Sequence, residues 1–510
     1  MKKISFMIAA LLVAMTGCQK EPQVTPEGND ANTKHYVAVN IALPNNVATR
    51  ADANPGHNDN FADGDAKEYQ VNDVTLVFYK QESGDYIFKQ AVSANPSPWA
   101  NNSTEDNITL SGNTGAIQVD HADISHVLVL VNAQGLTAEY ENKTFNEFNV
   151  ALTKTAGDII GTEGNDFFMS NAPVFDDVNK VFSVLVPITV YSTEAEARAH
   201  ATDCNVKVER AAAKVQVAFE DSYSATPYIG TVKFTNWALD VTNKSFFPVH
   251  KYENYSATAT WWESANAFVN SGIYSTNSKR TYFSVDPNYS ESYDSANFNY
   301  LTTADVTLEE SNVAYCLENT FTTTNMNQNQ TTRVVLKAQF TPDGFDKDET
   351  WYMVGSAKTA YDESDLLALL TDKAGVSVAV GDLEFGSDSK LVYTGKSYAS
   401  AQASVGDVYK YEKGVCYYPV LIRHFIATEH GQTSENDFWT SYEGGYKPCD
   451  LGRYGVVRNN WYKLTVNSVS EPGVPVMPET PDVPDDEITR YCACTIDILA
   501  WNVRNQGVDL

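Results

Sequence analysis

Positive charge is scarce in this sequence. Of its 510 residues 36 are Lys or Arg against 65 Asp or Glu, a formal net charge of -29. A surface of that average sign repels a phosphate backbone, which sets nucleic acid aside as a partner. Catalytic signatures are missing as well: there is no Gly-x-Ser-x-Gly elbow, no His-Glu-x-x-His zinc helix and no Cys-x-x-Cys. Gly395-Lys396-Ser397 imitates the end of a P-loop, but Lys390 stands where that loop needs glycine. The acidic run from Asp343 to Glu349 lacks the alternate spacing of a calcium loop and reads as a solvated turn. His121 and His126 are five residues apart and share no face of a helix or strand, and His424 and His430 are no better placed. Trp261-Trp262 has the rings to stack on a sugar, although such a pair is more often packing. No enzyme, no cofactor and no metal site are expected.

Hydrophobic residues make up 43% of the chain and aromatics 12%, with 29 Tyr, too apolar for disorder and rich in strand formers. The expected fold is all-β. At the N-terminus Lys2 and Lys3 precede an apolar run over residues 4–15, too short to span a bilayer permanently, so residues 1–17 read as a signal peptide. Met15-Thr16-Gly17-Cys18 resembles the bacterial lipobox, in which Cys18 is acylated and becomes the new N-terminus. Two or more acyl chains anchor stably where one is marginal. Six further cysteines allow fifteen disulfide pairings, and the sequence selects none. Cys492 and Cys494, two apart, face one side of a strand and are poorly placed to bond each other.

Residues 19–32 are polar with two prolines, a tether. Residues 35–43 alternate strictly, with Val37, Val39, Ile41 and Leu43 on one face, which predicts a half-buried strand. Arg50 then stands at the entrance to a Gly, Asn and Asp-rich loop, accessible to a protease. Strands are expected over residues 71–79, 86–92, 116–119, 127–132 and 181–191, and later over 228–236, 314–317, 333–340, 376–380, 415–425 and 461–469. Short helices are expected after Thr193 and over 364–373, with Ser364 as N-cap and Gly375 as stop. Two alternating strands fill 206–219, and the domain junction is placed near Arg210. Prolines at 472, 475, 478, 481 and 484 recur every third residue and favour an extended linker. A last strand puts Cys492, Cys494, Ile496 and Ile498 on one face.

The lipobox ending in Cys18, the strand before Thr49-Arg50-Ala51, Val208-Glu209-Arg210 with Ala213-Lys214-Val215, the run from Tyr454 to Tyr462 and the terminal Val508-Asp509-Leu510 together resemble the fimbrillin family of Gram-negative anaerobes, the subunits of type V pili, and most of all its minor-fimbrium (Mfa) type. The resemblance implies two transthyretin-like, Greek-key β-sandwich domains in tandem, at 51–210 and 211–470, with few short helices. Around them it implies a lipidated propeptide at 18–50 carrying a plug strand (Val37, Val39, Ile41, Leu43), a Pro-rich linker at 471–490 and a C-terminal donor strand at 491–510 (Cys492, Cys494, Ile496, Ile498). A protease would cut between Arg50 and Ala51, and a neighbour's donor strand would fill the groove that the plug leaves. Strand addition of this kind draws affinity from main-chain hydrogen bonds and register from alternating side chains. The expected product is a structural subunit of an adhesive surface fimbrium, its precursor lipid-anchored in the outer membrane. Its partners are further copies of itself and accessory fimbrial subunits, with host or bacterial surface ligands left open. A fimbrial tip adhesin and a monomeric glycan-binding surface lipoprotein are the alternatives.

Overall fold

A computed structural model describes residues 34–502 apart from 44–60, 102–109, 134–139, 161–166, 251–285, 425–444, 447–452 and some shorter stretches. The first strands are β1 (His35–Val37), β2 (Asn40–Leu43), β3 (Phe61–Asp63), β4 (Val74–Glu82), β5 (Asp85–Ala94), β6 (Ala100–Asn101), β7 (Leu110–Asn113), β8 (Ile117–Val119), β9 (His126–Val131), β10 (Met169–Asn171) and β11 (Asn205–Arg210). A nine-stranded sheet runs β5-β4-β9-β10-β11-β2-β7-β6, with Val186–Pro187 added on β9. Residues 127–131 of β9 are all buried, because both faces of this central strand are covered and a continuous apolar run replaces alternation. Helix α1 (Phe145–Ala151), which the sequence reading misses, opens on a Thr144–Glu147 capping box. Its Phe148 packs among Tyr79, Phe88 and Tyr140. Helix α2 (Glu194–Ala199) has the Thr193–Glu196 capping box its spacing predicts.

The second sheet uses β12 (Ala212–Ala218), β13 (Tyr223–Ala225), β14 (Gly230–Asp240), β15 (Val313–Leu317), β16 (Arg333–Pro342), then, after an insertion, β20 (Val415–Leu421), β21 (Asn460–Val469) and β22 (Cys492–Asn502). Its order is β15-β12-β21-β13-β14-β16-β20, with β22 on the free edge of β21 and β3 beyond it. Each large sheet encloses its own apolar core, and the chain passes from one to the other at Ala211, between β11 and β12. The insertion, β17 (Trp351–Val354), β18 (Thr359–Tyr361), helix α3 (Glu363–Ala374) and β19 (Val408–Tyr411), builds a third, smaller core around Leu366, Leu370, Tyr398 and Val408.

Several expectations are corrected. The strand expected over 35–43 is two short strands, because its partner kinks at Gly115 (φ +67°) and the ladder is interrupted at Ala38 and Val39. The strand over 181–191 divides into Val181–Ser183 and Val186–Pro187, where the Ser183 hydroxyl donates to the Leu185 carbonyl. The N-cap of α3 is Asp362, whose carboxylate accepts from the Asp365 amide at 2.7 Å, so Ser364 lies in the first turn. Gly375 ends that helix in the left-handed conformation, as read. Residues 376–380 form no strand: they lead into a 3-10 turn at Val380–Asp382, with Val376 and Val380 exposed, and they pair with no strand among the described residues. Among the described residues no helix is long and apolar enough to cross a membrane.

Candidate strand-exchange site

The residues read as the plug lie in the middle of the first sheet. Strand β2 is clasped between β11, to which it is parallel (Asn40↔Asn205 to Ala42↔Lys207), and β7, to which it is antiparallel (Asn40↔Asn113 to Leu43↔Leu110). β1 continues along β8, and Tyr36 exchanges both main-chain hydrogen bonds with Tyr191 at 2.9 and 2.8 Å. Where the ladder is broken a side chain substitutes: the Val39 amide donates to the Thr114 hydroxyl at 3.1 Å, and the Thr114 amide donates to the Val39 carbonyl at 3.0 Å. Val37, Val39 and Ile41 are fully buried in the first core, and Ala38 is buried on the opposite side. Removing this segment would therefore open a slot in a continuous sheet, with main-chain groups unpaired on both walls and apolar core at its floor.

The C-terminal strand lies on its own second domain. β22 runs antiparallel to β21 from Asn460↔Ala500 to Val469↔Cys492, with one irregularity between Val466 and Ser468. The register sets Ile496 opposite Leu464 and Ile498 opposite Tyr462, two buried core residues. Cys492 and Cys494 pack at the rim of the second core with their Sγ atoms 4.0 Å apart, on one side and unbonded. The five described cysteines after Cys18 are all free thiols. Burial pushes Cys204, Cys316 and Cys416 up to about 12, which makes them inert as nucleophiles. Among the described residues the far edge of β22 pairs with three residues of β3, in parallel, from Ala500↔Phe61 to Asn502↔Asp63. Cys18, Arg50 and Ala51 lie outside the described residues, as do Cys449, Trp261 and Trp262, and of Leu43, Ile496 and Ile498 only the backbone is described.

Three of the runs that carry the family resemblance, those around Arg210, Lys214 and Asn459, come together where the two large cores meet. The buried Lys214 ammonium lies 2.7 Å from the Glu68 carboxylate, which also accepts from the Tyr315 hydroxyl, and 3.7 Å from the centre of the Trp461 ring. Arg210 donates through Nε to the Glu68 carbonyl at 2.7 Å and through Nη1 to Asn459 Oδ1 at 3.2 Å, while the Asn459 amide donates to the Ala212 carbonyl at 2.7 Å. Glu209 faces His250 at 3.1 Å. Arg458 pairs with Glu318 and donates to the carbonyls of Phe247 and Pro248. A buried charge is tolerated only with such compensation, so these residues fix how the two domains are joined. Sequence reading quotes the motif but assigns it no contact, because its partners Glu68, His250 and Glu318 are distant in the chain.

His430 also lies outside the described residues, and the remaining described candidates sit in ordinary turn and packing contacts. Lys396 of the P-loop imitation lies in an exposed turn and pairs with Glu384. In the acidic turn the Asp346 amide donates to the Glu349 carboxylate at 2.9 Å. His126 contacts Tyr86 edge-on, and His424 is buried with its Nδ1 2.7 Å from the Tyr462 hydroxyl. Among the described residues no group of three or more His, Cys, Asp or Glu side chains is placed to hold a metal ion.

Residues 409–507, which span β20, β21 and the self-docked β22, match the model of the C-terminal domain of the type IV major fimbrial subunit protein, fimbrillin. Over this segment, 99 of the 510 residues, the chain is similar to the fimbrillin family. No curated protein sequence matches it. Among solved structures it is similar to a fimbrilin of Porphyromonas gingivalis W83 (14% identity, 92% of this chain and 99% of that one, TM-score 0.37). It is also similar to the tip fimbrial protein Mfa3 of Porphyromonas gingivalis (11%, 91% and 100%, TM-score 0.34) and to a fimbrial assembly protein of Parabacteroides distasonis (10%, 65% and 97%, TM-score 0.28). Scores of that size carry no argument about this chain's function. The matched description is that of a major fimbrial subunit.

Proposed function

We propose that the chain is exported as a lipoprotein acylated on Cys18, is cut after Arg50, and polymerises into a fimbrial stalk when a neighbour's β22 enters the slot vacated by β1 and β2. The observation that carries this reading is a difference in pairing. On its own domain β22 has one full ladder, with β21, and a three-residue contact with β3. In the slot it would have a wall on each side, β11 and β7, above a floor of apolar core. Moving a strand from a sheet edge to a sheet interior exchanges one ladder for two, which favours exchange once the plug has gone. An eleven-residue strand also outreaches the interrupted plug it replaces. The 17 residues between Leu43 and Phe61 include Arg50, so one cut there separates the plug from the segment lying on β22.

N-terminal sequencing of surface filaments tests this. A start at Ala51 is expected, and a polymerised chain starting at Cys18 would overturn the reading, since the plug would still occupy its own slot. A tip adhesin is the second reading, and the self-docked β22 is what favours it: a tip accepts a strand and donates none, so its β22 would stay on β21. Labelling with antibody to this chain separates the two, along the filament for a stalk and at its end for a tip.

A further inference from the structure

The Pro-rich segment before β22 reads from sequence as an extended spacer, yet from Glu471 to Ile488 it is tied to the second domain at close intervals. Proline has no amide to donate, so such a segment is held mainly through its carbonyls, and the domain supplies the donors. Tyr418 and Tyr411 hydroxyls donate to the carbonyls of Glu471 and Gly473 at 3.2 and 2.9 Å, and Val474 exchanges both main-chain hydrogen bonds with Tyr417. A Cβ at Gly473 would lie 2.3 Å from the Tyr417 carbonyl oxygen, so only glycine passes there. Arg333, 1% exposed and held by Asp240, donates to the carbonyls of Pro478 and Glu479 at 2.8 and 3.0 Å. The last tie is buried. Asp485, fully buried, accepts from the Thr331 hydroxyl at 2.7 Å, its amide donates to the Met326 carbonyl at 3.1 Å, and Asp486 pairs with Arg453 at 3.1 Å. Beyond this point a cavity of about 690 Å³ opens between Ile488, Cys492, Arg423 and Tyr454.

We propose that residues 471–488 are a fixed strap in the polymer as well as in the monomer, that only the chain beyond Ile488 swings during strand donation, and that Thr331 and Asp485 are positioning residues which set the angle and reach of the donated strand. This rests on the strand-exchange reading. Its consequence is geometric. With the strap free, a tether of eighteen residues at about 3.1 Å each would let subunits sit far apart and at variable angles. With the strap fixed, the acceptor domain must abut the donor's second domain, and the filament is stiff with a single repeat.

Hydrogen–deuterium exchange on the mature full chain, as monomer and as filament, tests the proposal. Peptides covering 472–488 are expected to be equally protected in both states, while those covering 492–502 change. A loss of protection over 472–488 on polymerisation would overturn the fixed strap alone, leaving strand exchange standing. Unchanged protection over 492–502 would overturn both, since no strand would have moved. Combining Thr331→Val with Asp485→Ala is expected to lower strap protection at least tenfold and to broaden the axial repeat seen by electron microscopy, with filaments still forming. Asp485→Asn, which keeps an acceptor for Thr331, is expected to restore the single repeat. Double-variant filaments with the repeat and stiffness of the parent would refute a positioning role.

Discussion

A chain starting at Ala51 should keep its second domain and lose much of the stability of its first. The missing segment includes Val37, Val39 and Ile41, each fully buried in the first core. At about 1.5–3 kcal/mol per buried aliphatic side chain, these three alone amount to roughly 5–9 kcal/mol, an upper estimate because the unfolded chain already buries some apolar surface. Unpaired main-chain groups on β11 and β7 add to that loss. A whole domain is typically stable by about 5–15 kcal/mol, so the effect is a large fraction of the total. For a domain of this size it corresponds to a fall of about 10–35 °C in Tm. Differential scanning calorimetry of the 19–510 and 51–510 chains should show two transitions, one unmoved and one displaced downward. A synthetic peptide of residues 491–502 should move the displaced transition back up in a concentration-dependent way. If the 51–510 chain melts within a few degrees of the longer one, or if the peptide has no effect, the slot is not a strand acceptor.

Ile496→Asp with Ile498→Asp sets carboxylates opposite Leu464 and Tyr462, and should give an exported monomer with a protease-sensitive C-terminus and no SDS-resistant ladder on gels. Lys214→Met leaves the Glu68 carboxylate buried without its cation, so a destabilisation of about 3–5 kcal/mol is expected by denaturant titration, largely relieved by adding Glu68→Gln. Asp485 is pushed up to about 8, first by burial and then by the neighbouring Asp486, against the lowering influence of Thr331, Arg333 and Arg453. Its docked form therefore favours the proton. The strap stability it contributes is complete below about pH 4 and is lost as pH rises through about 8, so hydrogen exchange over 472–488 should accelerate across that window and Asp485→Asn should flatten the dependence.

Local patterns were legible in the sequence and long-range compensation was not. The period-two runs at 35–43 and 491–501 stand out because a strand with one buried face needs no information from elsewhere. The interruption at Ala38 and Val39 could not be read from those residues, since its cause is the backbone at Gly115 on the partner. Residues 376–380 have the apolar spacing of a strand, but they pair with no strand among the described residues. Val208-Glu209-Arg210, Ala213-Lys214-Val215 and the run ending in Tyr462 were legible as a family motif, and their work of joining two domains was not. A buried ion pair such as Glu68–Lys214 unites residues nearly 150 positions apart. Proline periodicity marked this segment as a spacer outside the regular strands. What holds it, Arg333 and Thr331, lies well upstream in the second domain, so a docked segment and a free one read alike.

Photo-cross-linking from position 496 within assembled filaments addresses strand exchange most directly. A photoreactive residue in place of Ile496 should form adducts with peptides from β7 or β11 (110–113 and 205–210), the walls of a neighbour's slot. Adducts confined to 460–469, the strand it pairs with on its own domain, would show that β22 never leaves home and would contradict the account.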